Sequence, residues 1–174
     1  MPLGTAAKPA NLAAEPEGPH DRHARRWLRL RQAALSHALR PYVRALLPLQ
    51  GCQRQTGTGF ALNALIETDR IDLLSGDPVP FPMPTDSGRP HRVFRCPDCG
   101  TAVWSEYGGL KALRFVRVGT LDEPSTLPPD VHIYVRSKLP WIALPDGVPA
   151  FDAYYDSRKL WPAASLDRRK AALG

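Results

Sequence analysis

Residues 92–101 read Arg92-Val93-Phe94-Arg95-Cys96-Pro97-Asp98-Cys99-Gly100-Thr101, and the fold class follows from this stretch and what flanks it. Val93–Cys96 is strand-like, and strand-like sequence resumes after Thr101. The C-x-x-C pair therefore sits on a turn between two strands. Two thiolates three residues apart, with a glycine just after them, let backbone N–H groups turn toward the sulfurs, a geometry that suits tetrahedral Zn²⁺. A structural zinc site needs four ligands, and this knuckle supplies two. A redox pair is the weaker alternative, because a redox C-x-x-C opens a helix in a βαβ unit. Two ordinary core thiols are the third.

Outward from the knuckle, Gly59–Glu67 (GFALNALIE), Leu113–Val118 and Val131–Val135 are also strand-like. Turn chemistry separates them at Gly76-Asp77-Pro78, Pro80–Pro84, Pro128-Pro129 and Pro145-Asp146-Gly147. The 19 prolines and 13 glycines in 174 residues argue against a helical bundle and for short strands joined by many turns. The expectation is a mainly β domain with an irregular, proline-rich C-terminal tail. No apolar run reaches the roughly 18 residues that a spanning helix needs, so no membrane partner is expected. Three cysteines do not make a disulfide scaffold. The N-terminus shows no apolar secretory core, which makes the cytoplasm the expected compartment.

Charge divides the chain near residue 50. Residues 1–50 hold eight basic and three acidic residues, which accounts for +5 of the net +6. Residues 51–174 hold 15 and 14 and are nearly neutral. A basic surface for nucleic acid is therefore not expected on the body. Residues 1–20 are rich in Pro, Ala and Gly and cannot bury enough surface to order themselves. Residues 21–40 could form a basic amphipathic helix carrying Leu28, Leu35 and Leu39, with Tyr42 beyond, ended by Pro41. The expected organisation is a disordered or loosely helical segment over 1–50 and a β-domain over 51–174.

The third cysteine lies in Gly51-Cys52-Gln53-Arg54-Gln55-Thr56-Gly57-Thr58-Gly59-Phe60. It is either a loop cysteine of no consequence or a reactive or metal-bound thiolate at a strand edge, its pKa lowered by Arg54. Composition does not decide between them.

The stretch from Cys52 to Phe60 resembles the segment that follows the second zinc motif of the glutathione-dependent formaldehyde-activating enzyme family, which includes centromere protein V. Arg92–Thr101 is similar to its C-x-x-C motif, and Val118-Gly-Thr-Leu-Asp-Glu-Pro to its G-T-L-D-x-P turn. Val131-His-Ile-Tyr-Val-Arg-Ser-Lys-Leu-Pro-Trp is similar to its H-I-x-x-x-S-K-x-x-W strand, and Leu144-Pro-Asp-Gly-Val-Pro-Ala-Phe to its closing segment. The resemblance covers about residues 52–161 in the right order. It implies a small zinc-bearing β-tent of complex antiparallel sheets. It also implies carbon–sulfur lyase chemistry on glutathione adducts, with Zn²⁺ as cofactor and a small thiol adduct as partner.

The departures from the family pattern matter as much. Family members begin with G-G-C-x-C-G and later carry C-x-C-x-x-C; the first pair completes a structural Cys₄ site, and the triplet holds the proposed catalytic zinc. On this resemblance Cys96 and Cys99 are half of the structural site. Cys52 is the last member of the triplet, a metal ligand and the one catalytic position left. Leu28 and Leu30 stand at the first pair, and Leu47 and Leu49 stand at the triplet. A leucine codon CTG followed by a codon beginning with C reads TGC, cysteine, when shifted by one base. The residues after all four leucines (Arg29, Arg31, Pro48, Gln50) have codons that can or must begin with C. The shifted frame gives Gly-Cys-x-Cys near residue 28 and Cys-His-Cys-Arg near residue 47, which are the missing motifs. A frameshift upstream of Cys52 explains their loss better than the frequency of such codons in a GC-rich gene.

Among the remaining residues, His132 fits a structural histidine better than a ligand. His20, His23, His37 and His91 have no partner motif. Trp104, Trp141 and Trp161 are expected to complete the core. Arg54, Arg92 and Arg95 are either solvated surface charge or attract glutathione carboxylates. Two function classes follow. One is a zinc-dependent lyase for S-hydroxymethylglutathione or a similar adduct, impaired as written. The other is a non-catalytic zinc-binding β-domain or an inactive frame-altered product. The frameshift is checked directly in the coding DNA: Leu28, Leu30, Leu47 and Leu49 are expected to be CTG, and other leucine codons there would refute it.

Overall fold

The computed structural model describes residues 30–31, 41–73 and 76–174. Strands β1 (Leu30–Arg31) and β2 (Val43–Leu47) precede helix α1 (Gln50–Thr56), and β3 (Ala61–Glu67), β4 (Asp72–Leu73) and β5 (Val79–Pro82) follow. Next come β6 (His91–Arg95), β7 (Ala102–Tyr107), β8 (Leu113–Arg117), β9 (Val131–Ile133) and β10 (Ala150–Phe151). Two helices close the chain, α2 (Ser157–Leu160) and α3 (Ala163–Leu173). The fold is mainly β, as expected. Eight strands form one sheet in the order β10-β9-β2-β3-β8-β7-β6-β5, and β1 pairs with β4 apart from it. β9 runs parallel to both β2 and β10, and the other pairs in the large sheet are antiparallel. None of the helices among the described residues is long and apolar enough to cross a membrane.

Three expectations need correction. Val43–Leu47 belongs to the centre of the sheet, paired with β3 on one side and β9 on the other, so the β-structure begins before residue 51. Its burial alternation is that of a strand between two packed layers. Leu30–Arg31 is a strand paired with Asp72–Leu73 rather than part of a helix over 21–40; the remainder of that expected helix, and the whole of 1–20, lie outside the described residues. The C-terminal tail is not irregular: Pro162 stands at the N-cap of α3, and the good helix formers after it carry eleven helical residues.

Strand register sorts the side chains onto two faces. Val43, Ala45, Leu65, Leu113, Val131 and Ile133 share one face, which Tyr155 and Trp161 from the C-terminal segment cover. Ile66, Trp104 and Val116 share the other, with Ala64, Val118 and Leu127 beside them. Trp161 stacks on Tyr42 at 5.7 Å and 5° between planes, and its indole N–H donates to the Tyr155 hydroxyl at 2.7 Å.

Glu67, buried at the end of β3, receives two hydrogen bonds from Arg168 of α3, Nε to Oε1 at 3.0 Å and Nη2 to Oε2 at 2.6 Å. The same guanidinium lies 4.8 Å from the centre of the Tyr42 ring. Burial alone would raise the Glu67 pKa, but the Arg168 hydrogen bonds outweigh it and hold the carboxyl below its ordinary value. A depressed carboxyl contributes stability above its unfolded pKa and loses it as pH falls through the folded one. Removing one partner of a buried pair costs about 3 kcal/mol. Arg168→Met is thus expected to lower the urea unfolding free energy at pH 7 by about that amount, and the loss should shrink as the pH is lowered into the acid range. A variant as stable as the parent at pH 7 would show that α3 is not held by this pair.

Candidate functional site

Helix α1 follows β2 after only Pro48 and Leu49, so β2 fixes where Cys52 stands. Gly57, at φ 68°, ends the helix in the left-handed region that favours glycine, and its N–H donates to the Gln53 carbonyl. The Gln53 amide donates to the Pro48 carbonyl at 2.8 Å and to the Ser137 carbonyl at 3.1 Å, which ties α1 to the segment after β9. Thr56 Oγ1 donates to the Cys52 carbonyl at 2.8 Å. Cys52 is half-buried on this helix, not in a loop or at a strand edge. Polar residues around Gly51 gave no apolar stripe by which the sequence could announce the helix.

The knuckle stands where the sequence placed it, on the turn between β6 and β7. Cys96 N–H donates to the Thr101 carbonyl and Gly100 N–H to the Cys96 carbonyl, both at 2.9 Å, with Gly100 at φ 72°. Cys96 is 2% exposed, and burial pushes its thiol up. Cys99 is exposed, with its sulfur 3.1 Å from Thr101 Oγ1. Burial pulls its pKa upward as well, but hydrogen bonds from Thr101 and Cys96 outweigh that and hold it below the ordinary thiol value. Arg95, next to the knuckle, donates to the Gly100 carbonyl at 2.8 Å and to the Gln55 carbonyl of α1 at 3.4 Å.

The metal implied by the resemblance does not find its ligand set among the described residues. No three His, Cys, Asp or Glu side chains there come together where an ion could be held. Leu47 packs against the apolar core. Leu49 precedes α1 in an extended conformation and offers no side-chain cap. Neither carries a lone pair. Leu30 lies in β1, and Leu28 is outside the described residues. Cys96 and Cys99 remain a pair and Cys52 a single thiol.

The residue that faces Cys52 was not legible in the sequence. Arg117 of β8 is opposite Asn63 of β3 in register, and its Nη1 donates to Asn63 Oδ1 at 2.7 Å. Its Nη2 donates to Gln55 Oε1 of α1. Burial raises the Cys52 thiol, and Arg117, rather than Arg54, is the cation that opposes this. Arg117 is 6% exposed. His91 lies within its electrostatic reach, and burial, helped by that cation, lowers the His91 pKa.

The other candidate residues take different places. Arg54 is exposed, and Arg92 is ion-paired with Glu106, which also holds Arg114 at 2.7 Å. Those three lie on the opposite face from Arg117. His132 is completely buried on β9 beside Leu46, with neither ring nitrogen hydrogen-bonded among the described residues, and burial lowers its pKa. Trp104 and Trp161 join the core, but Trp141 is 71% exposed. The loop around Trp141 instead closes over Gly59, where an added Cβ would stand 2.7 Å from Ile142 Cδ1. Tyr134, two residues after His132, has φ 60° and is the one non-glycine with positive φ among the described residues. A residue of this kind is uncommon in the left-handed region, and such outliers gather at functional sites.

Thiol chemistry separates the three cysteines experimentally. Brief alkylation with iodoacetamide near neutral pH, read by peptide mass spectrometry, is expected to modify Cys99 first and Cys96 last. Equal rates at the two would show that the knuckle opens readily.

The chain matches the family model described as glutathione-dependent formaldehyde-activating enzyme over residues 36–137. This is more than half of its 174 residues, and the chain belongs to that family. The match takes in β2, which the resemblance over 52–161 did not include, and ends before the closing segment. No curated protein matches the chain.

Proposed function

We propose that this member of the glutathione-dependent formaldehyde-activating enzyme family engages thiol adducts of the S-hydroxymethylglutathione class as a carbon–sulfur lyase, and that as written it turns them over poorly. The observation that carries this reading is Leu47 and Leu49 beside a single Cys52. A catalytic zinc is held by three protein ligands and keeps a fourth position open. One thiol with two hydrocarbon neighbours does not hold the ion against water. The groups of this chain around α1 are the guanidinium of Arg117, which acts on Cys52, the amides of Gln55 and Asn63 that it bonds, and the segment around Ser137, to which Gln53 is tied. They can bind and orient a small polar thiol adduct and exclude water from one side of it. Binding without differential stabilisation of the transition state contributes little to the rate.

The zinc pairing of Cys96 and Cys99 belongs to the same reading: two ligands alone give weak, exchangeable binding. The second function class, a non-catalytic β-domain, differs in outcome. The full chain is purified, loaded with zinc, washed with chelator, and assayed for turnover of S-hydroxymethylglutathione beside the Leu47→Cys/Leu49→Cys variant. The parent is expected to retain less than one zinc per chain and to be slower than the variant by at least about tenfold, about 1.4 kcal/mol in barrier. Stoichiometric zinc in the washed parent, or parent turnover equal to the variant, would overturn the assignment of the lost ligands. A variant that retains zinc and remains inactive would favour the non-catalytic domain.

A further inference from the structure

The arginines of this fold are not treated alike. Arg44 pairs with Asp130, Arg92 and Arg114 with Glu106, and Arg168 with Glu67. Each of these side chains is more exposed than Arg117. Arg117, at 6% exposure the most buried of them, has no carboxylate partner among the described residues. Its bonded neighbours are neutral, Asn63 Oδ1 from β3 and Gln55 Oε1 from α1. Its Nε is buried and bonded to nothing there. Beyond the Cys52 thiol, the next group to influence it is another cation, Arg95, and among the described residues Arg95 itself bonds only carbonyls. Two guanidinium groups thus meet α1 at Gln55 with no carboxylate between them among the described residues.

A buried charge without a partner is strongly unfavourable, and proteins keep one where something else neutralises it. Arginine offers a planar fork that matches a carboxylate in bidentate geometry. The fork is fixed from the sheet side by Asn63, whose position follows from strand register. From the other side it is met by an amide oxygen on a seven-residue helix with exposed residues. An amide oxygen is the neutral counterpart of a carboxylate oxygen, and a side chain on a short surface helix is easily displaced.

We propose that Arg117, seconded by Arg95, is an anion-binding subsite beside Cys52, in which the carboxylate of a small thiol adduct takes the place of Gln55 Oε1 on the guanidinium. The identity of the adduct rests on the proposed function above; the subsite itself rests on the missing counter-charge. The thiol sulfur of such a ligand then lies toward Cys52, and the carboxylate fixes its orientation. The sequence alone gave no signal for this, because an arginine within Leu113–Val118 reads as the solvated side of a strand.

The probes are S-methylglutathione, its dimethyl ester, and glutarate, which carries carboxylates and no sulfur. Binding is measured by titration calorimetry on the full chain. S-methylglutathione is expected to bind at least about tenfold more tightly than its dimethyl ester, and Arg117→Met is expected to lose that difference. Gln55→Glu supplies the missing carboxylate from within the chain. It is expected to raise the melting temperature by about 4 °C and to abolish binding of both carboxylate probes. That variant alters a half-buried helix side chain and keeps the test decisive should Arg117→Met fail to fold. Equal binding of the ester and the acid, or Gln55→Glu that neither stabilises nor blocks, would overturn the subsite. Glutarate bound in an Arg117-dependent way with no binding of S-methylglutathione would uphold the subsite and refute the thiol-adduct reading. S-methylglutathione bound equally by the parent and both variants would uphold that reading and refute the subsite.

Discussion

The position of the candidate site depends on β2. Five residues, Val43–Leu47, pair antiparallel with β3 and parallel with β9, so this strand joins a hairpin partner to a segment more than eighty residues away. The ladder also sets what comes next. Val43, Ala45 and Leu47 fall on the face that Trp161 and Tyr155 cover, and the chain leaves Leu47 through Pro48 directly into α1. Helix α1, with Cys52 and Gln55 on it, is therefore placed against Arg117 because β2 ends where it does. Arg44 reinforces the seating: its backbone N–H and its Nε both donate to Asp130, immediately before β9, at 2.8 and 2.9 Å. A one-residue slip of β2 would turn its apolar residues to the wrong face and carry α1 away from Arg117.

Much of this was legible in the sequence, for a physical reason. β3, β6, β8 and β9 are rich in β-branched and apolar residues, and Pro or Gly interrupts the chain between them, so local propensity and turn chemistry agree. The knuckle was legible because C-x-x-C with a following glycine prescribes its own turn. β2 was hidden by its surroundings: it follows a basic stretch whose leucines fall near a helical period, and only the pairing with β3 and β9 overrides that pattern. α3 was hidden because it has no strong apolar stripe; what holds it is Arg168 on Glu67 and the Tyr42 ring, a contact across 101 residues. Trp141 was misplaced because an aromatic residue after a strand reads as core, whereas here Gly59 leaves room for Ile142 and the indole stays outside.

Arg117 shows why a site can be missed even where its strand is found. Nothing in Leu-Arg-Phe-Val-Arg tells which arginine is buried. Register decides it: Arg114 is opposite Ile66 and reaches Glu106, while Arg117 is opposite Asn63 and reaches α1. Two arginines three residues apart on one strand thus face opposite sides of the sheet, one neutralised and one not.

The two halves of the site are also held by different parts of the chain. The metal-holding positions suggested by the resemblance lie at or before Cys52 and at the knuckle, whereas Arg117, Asn63 and Arg95 are fixed by the β3–β8 and β6–β7 ladders. A change confined to the residues upstream of Cys52 therefore leaves the ladders that hold Arg117, Asn63 and Arg95 untouched. Leu47 illustrates this, since its side chain packs on the apolar face of β2 while the strand pairs. The register of β2 follows from its backbone ladders with β3 and β9 and from the burial of its apolar face. On the proposed reading, the electrostatic demand for an anion is independent of the metal-ligand positions at or before Cys52, because the ladders that hold the unmatched guanidinium of Arg117 lie downstream of them.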